Sequence, residues 1–312
     1  LRLSRYLRLF SPVLILFSWT AIFHSLLNAS RRFIPGELIS VNQSVIQIVL
    51  VLLFQHLFGV KTLLFSFFSY TVWNVFYLGF LSRRYCLSHS HAHNPFQNPS
   101  VRKLLRMAGP LFLGYSVVYV NQQVDKILSS SLESGTVTAM GYAAVLSNLV
   151  STFIVSFCSI LFTDITTCIS QDNHQGAASL TVRAASLLTL FFLPVSILTI
   201  LSAQDIVAIV FGRGAFDSTA VHIASQALAG YGLMFVPLIF RELFSRLQYG
   251  YQDSRMPMLS STISIVTNIF LSIALCPYFG VLGITAASSV SIVICGILNV
   301  IFAKRLSSCL LL

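Results

Sequence analysis

The chain has 312 residues, of which 56% are hydrophobic and only 9% charged, and it carries a net charge of +10. In soluble domains about a quarter of residues are charged, so a chain this apolar takes the lipid bilayer as its solvent. The basic residues stand at the ends of apolar runs and form no lysine-rich stripe, which argues against a nucleic-acid partner.

Nine apolar runs long enough to cross a bilayer follow in order, near 9–29, 38–60, 62–82, 107–124, 137–162, 184–203, 219–240, 258–277 and 281–303. They are too long and continuous for the alternating strands of an outer-membrane barrel, so the fold class is all-α and polytopic, with about nine transmembrane helices. The chain opens on LRLSRYLRLF and passes directly into a full-length span, with no pattern of a cleaved signal peptide. Between the first two spans lies FHSLLNASRRFIP, Phe23–Pro35, and the second span ends at Phe58, Gly59 and Val60. After the third span comes the longest polar segment, Ser82–Arg106, whose middle reads SHSHAHNPFQNP. Cys86, His89, His91 and His93 alternate there as a chelating group would, but without a carboxylate or a second cluster the segment reads as a solvated linker and no metal is expected.

The fourth span carries NQQVDK at Asn121–Lys126, three uncharged polar residues before an Asp–Lys pair. Two readings stand: an end anchor whose charges neutralise each other, or the polar lining of a cavity. Asn148 lies within the fifth span. FGRGAFD at Phe211–Asp217 follows the sixth span as a glycine-rich turn that Arg213 and Asp217 could fasten. The seventh span leads into RELFSRLQYGYQDSRMP, Arg241–Pro257. Arg241 and Arg246 stand about 140° apart around a helix, whereas Glu242 and Arg246, four apart, can pair. Either that pair anchors a helix end, or Arg241 or Arg246 borders a cavity and attracts phosphate, for which guanidinium is well suited.

The two arginine-containing joints belong to a repeat. Pro35 and Pro257 are 222 residues apart, and Gly59 and Gly280 are 221 apart. Six spans lie between equivalent helices, so the two lobes have one orientation, as in transporters built from parallel repeats. The expected division is a partial N-terminal lobe of three helices at 1–82, a linker at 83–105, a six-helix lobe at 106–306 and a short tail at 307–312. Loop charge sets the topology. One set of alternating loops holds Arg31, Arg32, Arg83, Arg84, Arg102, Lys103, Arg106, Arg183, Arg241, Arg246, Arg255, Lys304 and Arg305; the other holds Lys61, Lys126 and Arg213, with Arg2, Arg5 and Arg8 before the first span. The rich loops are cytoplasmic by the positive-inside rule, so the first span runs inward and an odd number of helices is expected upstream. The six cysteines are scattered without a CxxC pair, and catalytic signatures such as GxSxG, HExxH or GxxxxGK are missing, so neither an enzyme nor a bound cofactor is expected.

Three segments, VDKILSSSLESGTVTAMGYAAVL (124–146), IVFGRGAFD (209–217) and RELFSRLQYGYQDSRMP (241–257), resemble the lipid II flippases of the MurJ/MviN type, within the multidrug and oligosaccharidyl-lipid exporter superfamily. The resemblance starts at the family's fourth helix. It implies a multi-pass protein of the bacterial inner membrane that carries a polyprenyl-pyrophosphate-linked cell-wall precursor across the bilayer by alternating access, with membrane lipids as its other partners. It also implies a cationic cavity, for which Arg241, Glu242, Arg246, Asn121, Gln122, Asp125 and Asn148 are the candidate lining. Two departures accompany it: Val145 stands where members often carry arginine, and Asn148 is near a position acidic in some. The competing readings are a drug or cation exporter, for which Asp125 is the suitable carboxylate, and a transport-inactive remnant or scaffold.

Overall fold

A computed structural model of the chain describes residues 2–30, 34–59, 61–86 and 119–310. The described residues are almost entirely helical and separate into two compact units, Leu1–Lys103 and Leu104–Leu312. His89, His91 and His93 fall outside the described residues.

The first unit contains α1 (Arg2–Ala29), α2 (Ile34–Phe58) and α3 (Lys61–Cys86), with α3 packed against both of the others. An aromatic contact joins α1 to α3, Phe17 to Phe67 at 5.8 Å, and Phe67 lies 5.0 Å from the buried Tyr70. Leu27 and Leu78 are completely buried, and Asn74 lies among the buried residues.

The second unit contains α4 (119–130), α5 (Thr136–Ser170), α6 (His174–Leu201), α7 (Ala203–Phe211), α8 (Ser218–Gly232), α9 (Phe235–Gly250) and α10 (Arg255–Leu310). One apolar core joins α5, α6 and α9 through Ile154, Cys158, Phe192, Phe235, Ile239 and Leu243. A second joins α5, α7, α8 and α10 through Ala143, Val207, Ala224, Leu228 and Ile284. Phe153, Leu187, Leu190, Leu198 and Phe270 are exposed on this unit and form an apolar surface of the kind lipid covers. Side-chain caps start three of these helices: Asn173 accepts from Gly176 N–H, Asp217 from Ala220 N–H, and Asp253 from Arg255 N–H. Asp217 is thus a helix cap, and the turn around Arg213 is held instead by Phe211 and Phe216, whose rings lie 4.8 and 5.3 Å from Tyr142.

Helix α10 is 56 residues long, about 84 Å if straight and far more than one bilayer thickness. It breaks at Gly280, with φ 55° and ψ −129°, into two spans. Gly59, between α2 and α3, has φ 53°. A Cβ would meet nothing within 4 Å at either glycine, so what each position requires is a positive φ rather than space. The two glycines of the sequence repeat therefore share a positive φ.

The apolar run at 219–240 is not one straight helix. It breaks between Gly232 and Phe235, bending by 42°, and the chain then stays helical to Gly250. A break inside hydrocarbon strands backbone carbonyls that have no water to turn to. Met234 N–H donates to Tyr231 O rather than to Gly230 O. Two serines from neighbouring helices supply the missing donors: Ser289 of α10 to Gly230 O at 2.7 Å and Ser196 of α6 to Gly232 O at 2.6 Å. Glycine is needed at Gly230, where a Cβ would overlap the Thr285 hydroxyl.

Candidate functional site

The second unit gathers the predicted polar residues into two places. The first is a cavity of ≈ 300 Å³ walled by Gln122, Asp125, Lys126 and Ser129 of α4, Ser147 and Asn148 of α5, and Tyr231 at the end of α8. Of the predicted lining, Gln122, Asp125 and Asn148 meet there. Asn121 does not; its Oδ1 is buried on another side of α4 without a hydrogen-bond partner. Val145 is 55% exposed and stands outside the lining.

Asp125 does not neutralise Lys126. It accepts a hydrogen bond from Ser272 Oγ of α10 at 3.2 Å. Ser272 Oγ also lies 3.0 Å from Asn268 Oδ1, whose amide nitrogen donates to Ser288 Oγ at 3.0 Å and reaches Ser291 Oγ at 3.4 Å. Ser264 Oγ donates to Ser291 O at 2.7 Å. A chain of neutral dipoles thus runs from the one carboxylate into the seam between the two arms of α10. Ser260, Ser264, Asn268 and Ser272 are all buried and spaced every four residues, so they share one helix face. That spacing is visible in the sequence, although only Asn268 stands out as a polar residue within a span.

The second place is on α9. Arg241 and Arg246 both pair with Glu242, Arg241 Nη2 at 3.0 Å from Oε1 and Arg246 Nη2 at 3.3 Å from Oε2. Glu242 lies inside the arc between the arginines, about 100° from Arg241 and about 40° from Arg246 around the helix. Arg246 Nη2 also reaches Val155 O of α5 at 3.4 Å. The arginines differ in access: the Arg241 side chain is 40% exposed and that of Arg246 17%, with Glu242 at 15%. From the other flank Asn299 of α10 donates to Ser245 Oγ at 2.7 Å, and Gln248 Nε2 donates to Asn299 O at 2.8 Å. Because α9 runs on to Gly250, Arg241 lies about 14 Å before the helix end rather than in a loop. Glu242 is consequently a carboxylate within a helix, as Asp125 and Asp164 are, and not a loop residue.

The two places do not merge. Met234, at the start of α9, lines the cavity, and Arg241 is about 10 Å farther along the axis. Together they give the unit a carboxylate-bearing polar pocket and a net-positive cluster of two arginines and one glutamate.

A family model described as "Lipid II flippase MurJ" matches residues 3–310. The chain belongs to the MurJ lipid II flippase family. Similar MurJ proteins include one from Rhizobium tropici, 24% identical over 288 residues, and one from Borreliella burgdorferi, 25% identical over 292 residues, both named "Probable lipid II flippase MurJ". Each alignment takes in 90% of this chain but only 53% and 56% of the relative, so the chain spans about half the length of these MurJ proteins. Among solved structures, a MurJ flippase in an inward closed conformation superposes with a TM-score of 0.82 at 21% identity, over 96% of this chain and 62% of that one. An inward-facing multidrug resistance MATE transporter of the MOP superfamily gives 0.81 at 13% identity, over 98% and 71%. At such identities these likenesses establish the fold, and the chain is a multi-pass helical membrane protein of the MurJ type.

Proposed function

We propose that this chain forms part of a transporter that flips a polyprenyl-pyrophosphate-linked cell-wall precursor, of the lipid II kind, across the bacterial inner membrane by alternating access. The observation that carries the anionic half of this reading is the α9 cluster, two guanidinium groups well inside a helix of a lipid-facing bundle. Family membership supports the cargo class. Guanidinium groups in a low-dielectric setting bind a diphosphate through charge-assisted hydrogen bonds, and the transfer needs no covalent step and no cofactor. Membrane lipids complete the set of partners. The test is complementation in cells depleted of their own flippase. Expression should restore lipid-linked precursor to the outer leaflet, and outer-leaflet precursor left at the depleted level would overturn the reading.

A cation or drug exporter is the second reading, favoured by Asp125 on the wall of a polar cavity. Efflux of a cationic dye that is lost in Asp125→Asn and insensitive to Arg241→Ala would select it over the flippase.

A further inference from the structure

We infer that Glu242 is a resident counter-anion, which occupies Arg241 and Arg246 between cycles and gives way to the diphosphate of the cargo. This rests on the reading of the α9 cluster as the anion site and adds how that site is kept when empty. Glu242 divides its carboxylate, giving Oε1 to one arginine and Oε2 to the other, so a single side chain occupies both guanidiniums. Without an anion Arg246 would be a poorly solvated charge beside a second arginine, and one carboxylate reduces the pair to a single net positive charge.

The two arms are unequal in a way that sets the order of exchange. Arg246 is the more buried and is tied to a second helix through Val155 O. Arg241 is the more exposed, and its ion pair is with Glu242 alone among the described residues. An arriving diphosphate therefore meets Arg241 first and takes it from Oε1, while Arg246 stays in place to receive the second phosphate. Arg246 Nε is buried without a hydrogen-bond partner, a spare donor beside the group that stays. When the anion leaves, Glu242 refills the site. A carrier needs binding strong enough to load and weak enough to unload, and a built-in competitor lowers affinity without removing the donors that confer specificity.

The experiment measures binding of a polyprenyl diphosphate to the purified protein in lipid nanodiscs, with the uncharged polyprenyl alcohol as control. Glu242→Gln removes the competitor and keeps the shape. It should tighten diphosphate binding about tenfold and slow its dissociation, while leaving alcohol binding unchanged. Glu242→Asp keeps the charge but cannot span both arginines, so its affinity should fall between the two; it also serves if the Gln variant does not fold. Affinity equal to or weaker than wild type in the Gln variant, or in the Asp variant where Gln fails to fold, would overturn the counter-anion role while leaving the anion site standing. Wild-type diphosphate binding that does not change in Arg241→Ala would overturn the anion site itself, and this inference with it.

Discussion

The two polar places of the second unit solve one problem in opposite ways. Around Asp125 a single carboxylate is met by neutral groups, and Ser272, Asn268, Ser288 and Ser291 pass the interaction inward as a chain of hydrogen bonds. On α9 three charges meet one another directly, and neutral groups such as Asn299 and Gln248 only brace the flank. The difference matters because hydroxyl and amide dipoles are individually weak and replaceable, whereas a desolvated charge left without its partner is not. The first arrangement should fail gradually under mutation and the second abruptly.

The largest expected effect tests the abrupt case. Glu242→Ala leaves two arginines without their anion and should cost about 3 kcal/mol of stability, measured as a fall in the denaturation midpoint in detergent. Removing Arg246 as well should recover part of that loss, so the double variant should be more stable than Glu242→Ala alone; simple additivity would remove the distinction between the two places. Next, Asn268→Ala deletes the centre of the neutral chain and should cost about 1–2 kcal/mol by the same measurement. Ser272→Ala removes one link and should cost about 0.6 kcal/mol, the typical value of a side-chain hydrogen bond within a membrane. Smallest of all, Lys126→Ala should change stability by less than about 0.5 kcal/mol, because Lys126 is exposed and Asp125 faces Ser272 instead. A larger loss there would mean that the Asp–Lys pair matters after all and would weaken the contrast.

Much of the architecture was legible in the sequence, because apolar runs and joint residues report it directly. The breaks at Gly59 and Gly280 lie at the two landmarks that defined the repeat, since a positive φ restricts the choice of residue. The bend at 233–234 lies in a continuous apolar run, where Gly230, Gly232 and Pro237 are its sequence marks, Pro237 having no N–H for Leu233 O. What compensates it are Ser196 and Ser289, which lie 36 and 59 residues from the carbonyls they serve. The site was half legible. The Glu242–Arg246 spacing anticipated one ion pair, but neighbours at i, i+1 do not face each other on a helix, and only the reach of the long guanidinium brings Arg241 back to Glu242. Ser272 gave no signal alone; its meaning came from a four-residue rhythm that ordinary serines also produce by chance.

The bend between α8 and α9 has one more consequence. A serine hydroxyl in a helix can rotate to the carbonyl one turn back in its own strand of peptide as readily as to a neighbour's. Ser196 and Ser289 therefore have a second acceptor at home, and the carbonyls of Gly230 and Gly232 would regain amide donors if the two segments came into line. Alignment would still leave Leu233 O without a donor, because Pro237 has no N–H and its ring crowds that carbonyl. The bend thus has a built-in cause in Pro237, and it sets the direction of the segment that carries Arg241.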